Sequence, residues 1–487
     1  MSVDHVEARA GAYADSVTLM QVSRRVASAD GVGAALIAMG TELNLELLDG
    51  MQFTAPPAAG PNDLIVAVRA RDEPALATAL AVLADALAAR PTAAPGLLVA
   101  EPPRTVSSAA RSTGPALALI SVPGPHAFTE AMDALDSGCD VMIFSDNVAV
   151  EHEIRLKDVA AERGLLVLGP DCGTAVVGGV GLGFAHTLEP GPVGIVAASG
   201  TGAQHVLCML DAAGVGISAA LGVGGRDLSS RVGGRSTRAA LAAMDDDDAT
   251  ELIIVISKPP APDVAAEVRR FADGLRTPVG LALVGPGEPD LTAATEGALR
   301  VLGVPVPIWP SWPGRPLERH GGALRGLFAG GTLCDEAMVV ASGRLGPIRS
   351  NIPLQPQWRV DAMNPGTGHV MIDFGDDELT AGRPHPMIDQ SLRLDRFAIE
   401  AADPATGVIL LDVVLGHGAH PDPAAELAPA IAAVGSGVTV VVTLVGAKAD
   451  PQNLAGQADA LQAAGAHVFT SNAQAARFAC DVVEDPR

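Results

Sequence analysis

The sequence predicts a multidomain α/β chain: parallel sheets covered by helices, preceded by a small α+β domain. Three observations lead there. The 487 residues exceed what one hydrophobic core holds. Apolar residues make up 48% and aromatics only 3%, so the apolar runs are aliphatic, as in strands buried on both faces. From residue 115 onward, strand-like runs alternate with helical patterns of roughly 10–15 residues, which is the signature of βαβ units.

Residues 1–92 read as the small α+β domain. HVEARAGAY, GAALIAMG and DLIVAVRA are strands, DSVTLMQVSRRVASADG is a helix with Asp15 as N-cap, and EPALATALAVLADALAAR is an amphipathic helix. Residues 93–113, rich in Pro, Ala, Ser and Thr, read as a linker. Residues 114–190 form a βαβ domain, with strands ALALISVPG, CDVMIFSDN and LLVLGPDCG separated by two helices. Ligands in such sheets sit at the carboxyl ends of the strands, which points to Ser145, Asp146, Asn147 and the turn from Gly169 to Thr174, Asp171 included. A second α/β domain covers 191–305, residues 306–322 form a linker, and a third α/β domain covers 323–487.

The third domain echoes the second. LRGLFAGGTLCDEAMVVA matches VGIVAASGTGAQHVLCML as strand, small-Gly-Thr turn, helix; GVILLDVVLGHGAHPDP echoes ELIIVISKPPAPD, and VTVVVTLVGAKADPQ echoes VGLALVGPGEPD. Matched turn chemistry at a repeat of roughly 140 residues predicts two similar domains.

The formal charge of −24 disfavours nucleic acid and anionic membranes, and the scarcity of aromatics argues against base- or sugar-stacking platforms. An anionic substrate must therefore be held by backbone amides, helix N-termini and a few arginines. The five cysteines show no CxxC spacing, which predicts reduced thiols and no zinc or other metal site. The N-terminus lacks an apolar signal core, and no apolar run approaches the roughly 20 residues of a membrane span, so the chain reads as cytoplasmic.

Two loops carry the chemistry. Ser199, Gly200, Thr201 and Gly202 join a buried strand to a helix, and Gly331 and Thr332 repeat that grammar. Glycines admit a ligand to the backbone, first-turn amides and the helix dipole attract an anion, and hydroxyls add donors. The alternative is an ordinary capped turn. The segment from Ile372 to Asp389 packs five acids with Arg383 and His385, and His385 is stiffened between two prolines. These residues suit an acid/base or carboxylate clamp, with Asp389 nearby. Arg226, in GVGGRDLS, could neutralise an anion or pair structurally with Asp227. Asn147, Asp171 and Thr174 complete the candidate substrate contacts. Cys172 as nucleophile, a metal at His417 and His420, and a metal at the acidic run from Asp245 are the weaker readings.

In GPDCGTAVVGGVGLGFAH and GPVGIVAASGTGAQHV the chain resembles the α subunit of succinyl-CoA synthetase. SVPGP, FSDNV, EHEI, GPDCGT, ASGTG, GVGGRDLS, ISKPP, GGTL, DFGDDE, GRPHPMID and DPQ together resemble the FdrA family of that superfamily. The resemblance implies a CoA-binding-like Rossmann domain followed by two flavodoxin-like ligase domains. It implies that the helices after ASGTG and GGTL correspond to the synthetase's two power helices. No histidine loop follows the PVGLALVG strand where the synthetase carries its phosphohistidine, and neither an ATP-grasp domain nor the synthetase's N-terminal CoA loop has a counterpart. The FdrA family is associated with oxamate carbamoyltransferase in allantoin breakdown, acting with two further subunits. The expectation is therefore a carbamoyl- or acyl-transferring subunit that takes phosphate or acyl phosphate as substrate, with hetero-oligomeric partners or a homodimer. A succinate-CoA ligase-like enzyme using CoA and a non-catalytic scaffold subunit are the alternatives.

Overall fold

The computed structural model describes residues 2–484 apart from positions 11, 13, 15, 55, 57, 58, 104, 115, 381 and 382 and the stretches 89–102 and 317–320. The chain forms two compact units, one of residues 1–104 with 380–384, the other of 105–379 with 385–487.

In the N-terminal unit, strands β1 (Val3–Arg9), β2 (Val32–Met39) and β3 (Leu64–Ala70) pair antiparallel in the order β1-β3-β2. The central strand is buried almost throughout because both faces are covered. On one side Leu19, Val22 and Val26 of the Ser16–Ala27 helix and Leu76, Ala79 and Leu83 of the Glu73–Ala88 helix pack on Ile37, Val66 and Val68. On the other, Leu48 and Phe53 cover Ile65 and Ala67. The Glu42–Gly50 helix, capped by Thr41, escapes the sequence reading because its short span has little apolar periodicity. Asp15, the expected N-cap, lies outside the described residues. Much of the expected 93–113 linker does too, but its end is a helix, Val106–Thr113, closed by a Thr105–Ser108 capping box.

The larger unit holds three sheets. Strands β4 (Leu117–Ile120), β5 (Asp140–Ile143) and β6 (Val167–Leu168) are parallel in sequence order. The next sheet contains β7 (Thr174–Val177), β8 (Val180–Gly183), β9 (Pro190–Ala198), β10 (Ile217–Gly222), β11 (Leu252–Ser257) and β12 (Val279–Leu283), ordered β12-β11-β9-β10-β7-β8. The last contains β13 (Ser311–Trp312), β14 (Ala323–Phe328), β15 (Val370–Asp373), β16 (Thr406–Val414), β17 (Thr439–Val445) and β18 (His467–Phe469), ordered β13-β18-β17-β16-β14-β15. The expected repeat is plain in the pairing. β12-β11-β9-β10 and β17-β16-β14-β15 are parallel runs in the same order, and β9 and β14 each feed a glycine turn and a helix. The β7–β8 hairpin, assigned from sequence to the preceding domain, instead extends the second sheet through Ala220↔Val176. Its Gly178-Gly179 turn, with both φ positive, permits the tight reversal.

Candidate functional site

The site lies where the parallel strands end. Ser199 closes β9 and N-caps the Gly200–Ala212 helix, its Oγ accepting from the Gly202 amide at 2.9 Å. Gly330 follows β14 and opens the Gly331–Leu345 helix. The two helix starts meet directly. Ser199 Oγ and Thr332 Oγ1 share a hydrogen bond of 2.6 Å. A Cβ at Gly330 would stand 2.6 Å from Thr201 Oγ1, and one at Gly202 would stand 2.9 Å from Thr332 Cγ2. Each helix therefore needs a glycine where the threonine of the other presses on it.

This contact divides the expected phosphate-binding set. Ser199, Gly202 and Thr332 are buried and spend their groups on capping and on each other, so they join the helices. Gly200 is exposed, and Thr201 and Gly331 are half-buried. A small cavity of about 10 Å³, room for about one water, is lined by Asp171, Cys172, Thr174, Ser199, Gly200 and Gly224 among others and opens beside the Gly200 turn.

The turn at Gly330 is held from behind. Asp412 accepts the Ala329 and Gly330 amides at 2.7 and 2.9 Å, and Arg393 donates to Asp412 Oδ1 at 2.8 Å. Both acid and base are buried.

Lys258, at the end of β11, supplies a cation that sequence reading did not single out. A Cβ at Gly331 would stand 3.2 Å from its Nζ and 2.7 Å from Asp373 Oδ2. On the other side, a Cβ at Gly225 would stand 4.0 Å from Nζ and 3.6 Å from Asp171 Oδ2. Burial works against the ammonium, but Asp373, Asp335 and Asp171 outweigh it and raise its pKa. The acids are held up in turn. Burial pushes Asp373 and Asp335 to about 7 against the pull of Lys258. Asp171 also reaches about 7, through dehydration first and then Asp377 and Asp146; its side chain is the one of the three open to solvent, so water screens it most. Asn351 fixes the Asp373 backbone by accepting from its amide at 3.0 Å and donating to its carbonyl at 2.9 Å, and the Gly375 amide donates to Oδ1 at 2.9 Å.

His385 borders this group. Its Nδ1 accepts from the Met387 amide at 3.2 Å, and its ring tilts against Phe184 with centroids 5.9 Å apart. The ring proton therefore sits on Nε2, which lies 2.8 Å from where a Cβ at Gly375 would be; Asp373 Oδ1 is 3.2 Å from that point. Burial, with Arg393 adding, pulls the imidazole down to about 4, so His385 is a neutral donor at pH 7 and not a cationic clamp.

Arg383 is exposed and falls within the N-terminal unit. Arg226 does not pair with Asp227: it donates to the Val148 carbonyl at 2.8 Å and meets Glu153 at 3.0 Å, while Asp227 binds Lys157 at 2.7 Å and caps Ser236 and Thr237. Thr174 spends its hydroxyl on the Phe184 carbonyl, and Asp389 caps Ser391. Ser145 is buried, bonding the Val122 carbonyl. Asp146 and Asn147 are exposed, Asn147 at a positive φ of 52°. Burial pushes the Cys172 thiol up to about 12, away from the thiolate form that a nucleophile uses. His417 bonds Thr187 and His420 faces Glu426, in separate contacts. Asp245 caps Thr277. The missed residues carried one signal: Lys258 and Asp373 each end an apolar run that becomes a parallel strand.

A family model described as "CoA-ligase" matches residues 327–482, and one described as "AllF, heavy metal-associated domain" matches residues 1–100. The second description implies a metal, but residues 1–100 contain no cysteine, so a thiolate site for a soft metal does not fit there. Succinate–CoA ligase [ADP-forming] subunit alpha 2 of Archaeoglobus fulgidus is 27% identical over 42% of this chain and 78% of its own length. The malate–CoA ligase α subunit of Methylorubrum extorquens is 27% identical over 36% of this chain and 60% of its own. Among the described residues no helix is long and apolar enough to cross a membrane. Escherichia coli YahF, an uncharacterized protein, is 36% identical over 94% of this chain and 95% of its own length. With near-complete coverage at that identity, the chain belongs to the YahF family, and its residues 327–482 match the CoA-ligase model.

Proposed function

We propose that this chain is a subunit of an enzyme that moves a carbamoyl or acyl group to or from phosphate, an oxamate carbamoyltransferase-like reaction in which oxalurate and phosphate give oxamate and carbamoyl phosphate. The observation that carries the reading is the meeting of two helix N-termini beside Lys258. The first-turn amides of both helices and the ammonium attract a phosphate dianion, while Gly200, Thr201 and Gly331 leave the approach open. The carboxyl groups of Asp171, Asp335 and Asp373 then have two uses. As acceptors they suit the N–H groups of a ureido substrate, and Asp373, titrating near 7, suits proton transfer. A phosphate oxygen attacks the carbamoyl carbon and the C–N bond to the oxamate nitrogen breaks. The proton lost from phosphate returns to that nitrogen through Asp373. The neutral Nε2–H of His385 polarises the carbonyl.

Calorimetric titration of the full chain with phosphate and carbamoyl phosphate tests this. Binding that weakens at least tenfold in Lys258→Met supports it; no binding to the chain or to its complex with partner subunits rejects it. A second reading, acyl-CoA formation, is favoured by the CoA-ligase match and the ligase relatives. Incubation with labelled acyl phosphate and CoA separates the two, since thioester product belongs to the second alone.

A further inference from the structure

Away from the cleft, three side chains from distant segments meet in the interior. His186 lies between β8 and β9, Cys208 in the middle of the Gly200–Ala212 helix, and Asp450 in the loop after β17. All are at least nine-tenths buried, at 4%, 6% and 5% exposure. One nitrogen, one sulfur and one carboxylate oxygen, taken from the three in turn, all lie within 4.8 Å of one another. His186 Nδ1 is 2.6 Å from Asp450 Oδ2, and His186 Nε2 is enclosed without a hydrogen-bond partner. Asp450 is oriented by the Thr187 amide on Oδ1 at 2.9 Å and the Ala447 amide on Oδ2 at 2.7 Å.

We propose that His186, Cys208 and Asp450 form a binding site for a divalent cation of the zinc class. The donor set is the argument. Imidazole, thiolate and carboxylate together are borderline-soft and match zinc, whose bonds to N and S are about 2.0 and 2.3 Å, so small side-chain shifts bring the three donors onto one ion. Charge is the second argument. A dication with one thiolate and one carboxylate is neutral, the condition under which charged groups tolerate burial. The ion displaces the Cys208 thiol proton, which leaves to solvent, while the imidazole of His186 ligates in its neutral form and keeps one ring proton. The two backbone amides on Asp450 then act as the outer bonds that fix a ligating carboxylate. Three protein ligands leave a fourth position for water. Cys208 lies about eight residues, roughly 12 Å, along the helix from Gly200, so the ion pins the helix without taking part in the cleft.

The test needs no assay of activity. The full chain, purified without chelators or nickel resin, is analysed for metals by mass spectrometry and reconstituted with Co²⁺. The proposal expects about one zinc per chain, a thiolate-to-cobalt charge-transfer band, and loss of both in Cys208→Ser; stripping the metal should lower Tm. Metal-free protein that takes up no Co²⁺, or a cobalt spectrum unchanged in Cys208→Ser, overturns it. The mild Cys→Ser exchange guards against misfolding, and the wild-type metal content decides the matter even if that variant fails to fold.

Discussion

At the scale of single residues, the site turns on hydrogens where side chains would otherwise stand. Gly330→Ala drives a methyl into the Thr201 side chain. The expected cost is about 1–3 kcal/mol of stability, read by denaturant unfolding, with phosphate affinity falling alongside because the helix ends are pushed apart. Thr201→Ser should recover part of both losses, since it removes one of the atoms in the way. Asp373→Asn tests the proton-transfer role. Transfer should lose its inflection near 7, and kcat should fall by about 100-fold or more with KM little changed, measured as a pH–rate profile of the complex. An unaltered profile removes Asp373 from the chemistry. His385→Phe keeps an aromatic ring against Phe184 but deletes the Nε2 donor, so it should lower kcat with fold stability kept within about 1.5 kcal/mol.

Elements explain what was readable in advance. The glycine turns, the repeat and its strand order follow from aliphatic strands bounded by Gly and Thr, a pattern local in sequence. The meeting of the two turns was not readable, because 133 residues separate Ser199 from Thr332 and nothing local specifies that approach. Lys258 was hidden for the same reason: a single lysine after LIIVIS becomes a site residue only when Asp171 arrives from the turn between β6 and β7 and Asp373 from the end of β15. GRPHPMID reads as one motif in sequence, whereas the fold divides it between two units at residue 385. The Gly330 turn also depends on a distant support. Arg393→Met leaves Asp412 buried with its charge unpaired, and breaking such a pair costs about 3–5 kcal/mol. Urea unfolding of this variant should show a midpoint shifted strongly downward; a midpoint near wild type would mean that the pair contributes little to the turn.

The whole molecule carries two opposing sets of buried titrating groups. Asp335, Asp373 and Glu336 are raised to about 7, burial being the first cause in each. Between their ordinary values near 4 and about 7, the folded chain holds protons that the unfolded chain has released, so stability from this set falls as pH rises. His205 and His385 are pulled down to about 4 by burial. Below their ordinary 6.5 the unfolded chain takes protons that the folded chain refuses, so their contribution falls as pH drops towards 4. Three buried carboxyls oppose two imidazoles, and a net charge of −24 adds self-repulsion at neutral pH. Calorimetry should therefore find Tm higher near pH ~6 than near pH ~8. A Tm that climbs steadily to pH ~8 would contradict the raised carboxyls.

The handshake between Ser199 and Thr332 makes ownership of the cleft joint. Each helix start is shaped by the other: the Gly330 turn has room only for the Thr201 side chain and the Gly202 turn only for the Thr332 methyl, so a substitution in one turn is felt in its counterpart.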